Sequence, residues 1–146
     1  MFKKIDKILA LFGNMKAMKR THVDTFTEGR MNEVKGKQIA GNAMYGIWIT
    51  FGELAGYQFL DLTMLSISEI KTFKGVGLSF LGGDLELFMD SDTKEIVSDY
   101  SNVSNRWLTS MSFDVTEKDI DFITKKAYEI VRITSKKSNI DFKVMK

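Results

Sequence analysis

The chain has 146 residues, 44% hydrophobic and 27% charged, which suits one soluble domain with a sizeable core. It has no cysteine, no proline and one histidine, His22, which excludes disulfides, thiolate metal sites, cysteine nucleophiles, cis-proline turns and any multi-histidine metal centre. The net charge of +2 conceals a segregation: residues 1–20 carry +5, residues 53–121 carry −8 and residues 122–146 carry +5.

The first segment places Phe2, Ile5, Ile8, Leu9, Phe12 and Met15 at helical spacing, with Lys3, Lys4, Lys7, Lys16 and Lys19 largely off that stripe. The pattern predicts a basic amphipathic helix over residues 1–20. Such a helix covers the chain's own sheet, meets a partner, or lies on an anionic membrane surface. Its start resembles a signal peptide, but Asp6 and Lys7 interrupt the apolar run, so it is expected to be retained. No apolar run is long enough for a transmembrane helix.

Residues 21–42 are ambiguous. "HVDTFTEGR" alternates, putting His22, Asp24, Phe26 and Glu28 on one face, and "NEVKGKQIAGNAM" is polar and punctuated by glycine; an irregular strand or hairpin is expected within 21–42. From residue 43 onward, aromatic and β-branched runs alternate with short turns. The expected strands are 43–51, 57–67, 68–73, 75–81, 84–89, 95–100 and 106–115. Because each connection is short, consecutive strands are expected to pair antiparallel. Gly82-Gly83 between "LSFL" and "DLELFM" predicts a hairpin with a primed turn.

The period then changes to about 3.6. Thr116 is a good N-cap, Asp119 completes a capping box, and Val115 with Ile120 forms a hydrophobic staple. Ile120, Ile123, Ala127, Ile130 and Thr134 make a stripe that predicts a helix over 117–133. "NIDFKVM", residues 139–145, alternates as a last strand. No linker or repeat divides the chain, so 1–146 is expected to be a single α+β domain.

Seven antiparallel strands followed by one amphipathic helix resembles a pleckstrin-homology-like barrel, in which the helix plugs one end of a bent sheet. "SISEIKTFKGVGLSFLGGDLELFMDSDTKEIV" and "MSFDVTEKDIDFITKKAYEIV" are similar to the middle and close of the small bacterial members; the resemblance covers residues 43–133. It implies a binding or scaffolding module without catalysis. Lipid-binding members use Lys and Arg in the loop joining the first two strands. Here that loop is "GELAG", with Glu53 and no base, so no lipid-binding residue is carried over. The basic segment before the barrel and the strand after the helix also depart from the pattern.

Other chemistries have weaker signals. "GGDLE" locally resembles the "GGDEF" hairpin of diguanylate cyclases at Gly82, Gly83 and Asp84, but the required upstream βα unit is missing. "DSDTKE" opens like a calcium loop, yet the sixth position is Glu95 and the twelfth is Ser101. His22, Asp24 and Glu28 could share a face as metal ligands or a base, or simply meet solvent. No GxGxxG and no GK[ST] occurs.

The expected function is thus a non-catalytic binding module with no cofactor and no metal, acting in the cytoplasm or peripheral to a membrane. The partner is expected to be a protein or a second copy, with an anionic membrane reached through residues 1–20 and no nucleic acid. The alternatives are peripheral membrane association alone, or a ligand-binding or enzymatic barrel. The expected working surface is Lys3, Lys4 and Lys7 together with the polar loop "SDYSNVSNR", where Tyr100, Asn102, Asn105 and Arg106 lie.

Overall fold

The computed structural model describes residues 26–136 and 138–146. The expected helix at 1–20, with Lys3, Lys4 and Lys7, and the residues His22 and Asp24 lie outside the described residues.

Residues 26–32 form helix α1, not a strand. The alternation of "HVDTFTEGR" is overridden by tertiary packing. Met31 of α1 and the following Val34 bury against Leu65, Leu108 and Trp48, contacts that reward a helical spacing. The strands that follow are β1 (Lys37–Gly41), β2 (Gly46–Leu54), β3 (Tyr57–Ser66), β4 (Lys71–Thr72), β5 (Gly77–Leu81), β6 (Leu87–Asp90), β7 (Ile96–Val97), β8 (Asp99–Ser101) and β9 (Arg106–Asp114). Helix α2 (Glu117–Lys125), β10 (Ile130–Ser135) and β11 (Ser138–Lys143) complete the order.

The strands form a five-stranded sheet ordered β1-β2-β3-β9-β8 and a four-stranded sheet ordered β11-β10-β5-β6, both antiparallel, with β4-β7 as a separate pair. Both large sheets give their inner side chains to one core. Ile47, Leu60, Leu62 and Phe113 come from the first sheet, and Leu78, Phe80, Val131 and Ile133 from the second. Each fully buried side chain of this size contributes about 2 kcal/mol of transfer free energy.

The expected closed barrel does not form. The two sheets remain separate and meet at one seam, where Ala40 bridges Val144 and the Met145 N–H donates to the Ile39 carbonyl at 2.9 Å. The simple meander is corrected too. β3 pairs with β9 and β5 with β10, so nonlocal partners replace chain neighbours. The strand expected at 68–73 shrinks to Lys71–Thr72, and that expected at 95–100 splits in two. Strands 77–81 and 87–90 do pair antiparallel, as expected.

Helix α2 starts where the sequence says. The Thr116 hydroxyl accepts the Asp119 N–H at 3.2 Å, and the Asp119 carboxylate accepts the Thr116 N–H at 2.9 Å. It stops at Lys125, however, instead of running to 133. Lys126 turns left-handed at φ 53°, and the β-branched run Ile130-Val131-Arg132-Ile133-Thr134 becomes a strand between β5 and β11. Those residues are stiff at χ1 and fit a pleated surface better than a helix. Period two then puts Val131 and Ile133 inside, each fully buried. Tyr128 fills the corner between α2 and β10. Its ring meets Phe80 edge-on at 4.8 Å, and its hydroxyl donates to the Ile123 carbonyl at 2.6 Å.

Candidate interaction surface

The five-stranded sheet has a second, outer face. Alternation puts Trp48, Leu65 and Leu108 there, under α1, and farther along the same strands Gly52, Leu54, Tyr57, Phe59, Asp61 and Ser112. Register sets the rows: Thr50 faces Asp61, which faces Ser112, and Gly52 faces Phe59, which faces Asp114. At one end α1 covers the face; toward the β2–β3 hairpin no other described element does.

That uncovered end is apolar at its tip and acidic at its flank. Leu54 and Tyr57 are 73% and 75% exposed. A hollow of about 380 Å³ runs from them past Phe59 to Asp61, Asp92 and Asp114, with no basic residue in its wall. The Ser112 hydroxyl donates to Asp61 at 2.5 Å and fixes that carboxylate. The Asp92 N–H donates to the Ser112 carbonyl at 2.7 Å, which ties the loop after β6 to the edge of the hollow.

Two glycines shape the hollow. A Cβ at Gly52 would meet the far end of the Phe59 ring, so the missing side chain lets that ring lie across β2. At the hairpin turn Ala55 and Gly56 both take positive φ, 53° and 85°, the pattern of a type I′ turn. Glycine or asparagine is preferred at both central positions, and alanine in the left-handed region costs about 1–2 kcal/mol. The turn keeps an apolar residue there all the same.

The loop expected to carry recognition is built differently. Arg106 is buried, not presented to solvent. Its guanidinium reaches Glu28 of α1 at 3.1 Å, the Ser104 hydroxyl at 2.9 Å and the Met44 carbonyl at 2.7 Å. Glu28 also accepts the hydroxyls of Ser101 and Ser104 at 2.7 and 2.6 Å. Burial alone would raise the Glu28 pKa, but these two hydroxyls and Arg106 outweigh it and hold it below its ordinary value. Glu28 and Arg106 therefore anchor α1, and Glu28 does not stand open as a metal ligand or base. Tyr100 is exposed, its ring lies tilted against that of Trp107 at 4.7 Å, and its hydroxyl donates to the Asn105 side chain at 2.8 Å. Asn102 is exposed at the turn, and Asn105 takes φ 57° to close it.

The other motifs settle into the scaffold. Gly82-Gly83 does not form a two-residue turn, because the register pairs Phe80 with Leu87 and leaves 82–86 as a loop. Only Gly82 takes positive φ, 92°. A Cβ at Gly83 would strike the Ala127 carbonyl, so that glycine lets the loop pass close to the end of α2. In "DSDTKE" the Ser91 hydroxyl accepts the Val76 N–H at 2.9 Å and donates to the Thr93 carbonyl at 2.6 Å, an internal turn. Among the described residues no cluster of three or more His, Asp or Glu is placed to hold a metal, and no helix is long and apolar enough to cross a membrane.

Comparison with protein-family models, with characterised proteins and with solved structures found no match. The hollow was missed from sequence because its acids come from β3, β9 and the loop after β6, which only the sheet register brings together. The exposed tip had a local signal: "ELAGY" places Leu54 and Tyr57 on either side of a two-residue turn.

Proposed function

We propose that the protein is a non-catalytic binding module that docks a basic, partly apolar protein segment on the open end of the outer sheet face. The carrying observation is the pairing of Leu54 and Tyr57, both more than 70% exposed, with the carboxylates of Asp61, Asp92 and Asp114 around one hollow. Aromatic and aliphatic anchors beside fixed charges are what a protein interface uses for affinity and orientation. Three acids without a base disfavour phosphate backbones and anionic lipid on this face, which selects a cationic partner. The pleckstrin-homology-like resemblance points the same way, to binding without catalysis, and belongs to this proposal. So does a cytoplasmic setting, with which a chain lacking cysteine is compatible.

The test is titration of the isotope-labelled chain with a synthetic peptide of alternating Lys and Leu. Shifts are expected at Tyr57, Phe59, Ser112 and Asp114, weakening as salt rises. Tyr57→Ala should loosen the peptide about tenfold, the scale of one interface hot spot. A peptide that leaves these four residues unshifted, or moves only others, overturns the proposal.

A further inference from the structure

We infer that the occupant of this face in the free protein is the chain's own residues 1–20. The inference rests on the reading of the face as a site for a basic, apolar segment, and it names that segment. Charge is the first argument: residues 1–20 hold six basic residues and one acid, whereas the hollow holds three carboxylates and no base. Shape is the second. The segment carries Phe2, Ile5, Ile8, Leu9, Phe12 and Met15 at helical spacing, a continuous apolar stripe that suits Leu54, Tyr57 and Phe59.

Reach is the third argument. The described chain begins at Phe26 in α1, which already lies on this outer face. Glu28, close to that beginning, binds Arg106 at the end of the face away from the hollow. From Arg106 to Asp114 along β9 is eight residues, about 26 Å. Residues 21–25 can span up to about 17 Å, and sixteen residues at the helical rise that the sequence spacing predicts would add about 24 Å. The segment therefore reaches the hollow with length to spare, which lets Lys3, Lys4 and Lys7 come beside the carboxylates. The bound segment closes the site to outside partners, so an external basic ligand has to displace it.

The chain's lack of cysteine makes the test direct. Ala10→Cys, off the apolar stripe and uncharged, is given a nitroxide spin label in the full-length protein. At low salt the amides of residues 57–61 and 110–114 should broaden strongly, and Asp61→Asn with Asp114→Asn should reduce that broadening several-fold. In a second arm, Lys3→Glu, Lys4→Glu and Lys7→Glu in the full chain should tighten the added Lys/Leu peptide by about tenfold by removing its competitor. No broadening on this face, or broadening seen only when labelled and isotope-labelled chains are mixed, overturns the inference; the latter would make the occupant a second copy. If broadening is absent but the peptide still shifts Tyr57 and Ser112, the inference falls and the binding site stands. If neither occurs, both fall.

Discussion

Glu28 and Arg106, 78 positions apart, form a 3.1 Å ion pair that fastens α1 to the start of β9. The Arg106 side chain is 8% exposed and that of Glu28 17%. A pair this sheltered is costly to break one-sidedly, because the surviving charge stays buried without its partner. Arg106→Met should therefore lower stability by about 3 kcal/mol in urea denaturation. Glu28→Gln should cost less, because its amide oxygen still accepts from Ser101 and Ser104. Equal losses would mean that the charge pair carries the whole contribution and the retained hydroxyl bonds none.

The same contact gives the fold an acid limit. The Glu28 pKa lies below its ordinary value in the folded chain. Its contribution is therefore complete above the unfolded carboxylate pKa and is lost as pH falls through the lowered folded one. Tyr128 sets an opposite limit. Burial pushes its hydroxyl pKa up to about 12. The unfolded chain ionises near pH 10, so stability should fall as pH rises from there toward 12. Tyr128→Phe should flatten the alkaline limb while costing about 1 kcal/mol near neutrality for the lost bond to Ile123. An unchanged alkaline limb would assign it to another group.

Gly52 and Phe59 offer a way to deform the hollow without opening the core. A methyl group at Gly52 meets the tip of the Phe59 ring, a side chain that borders the open hollow. Gly52→Ala should leave stability within about 1 kcal/mol, because the clash is with the end of a side chain and not with backbone. It should nevertheless shift the Phe59 ring resonances and weaken the basic peptide. A ring that does not move would place Phe59 elsewhere than across β2.

How much of this was legible depended on whether local pattern and tertiary pairing agreed. They agreed in β2, β3 and β9, whose long alternating runs bury one face in the core, and at Thr116, whose capping box is complete within four residues. They disagreed at residues 26–32, where an alternating string became a helix because Met31 had a place to pack. At Ile130 and Thr134 a helical stripe and a strand alternation coexist in one string. Pairing with β5 and β11 chose the strand. The hollow was the least legible feature, since Asp61, Asp92 and Asp114 have no sequence spacing that announces them.

Ala55 holds a left-handed φ of 53° at the hairpin tip, where Asn-Gly would be the favoured pair. Ala55→Asn should therefore stabilise the protein by about 1 kcal/mol, a gain of roughly 3 °C in Tm. It also replaces a methyl in the wall of the hollow with a polar amide. If the tip is kept apolar for docking, the variant should melt higher and bind the Lys/Leu peptide more weakly, so that stability and binding move in opposite directions. Calorimetry and peptide titration on the same sample decide it. A variant that gains stability and binds the peptide unchanged would show that the strained alanine serves no contact, and would shift the docking role to Tyr57 and the carboxylates alone.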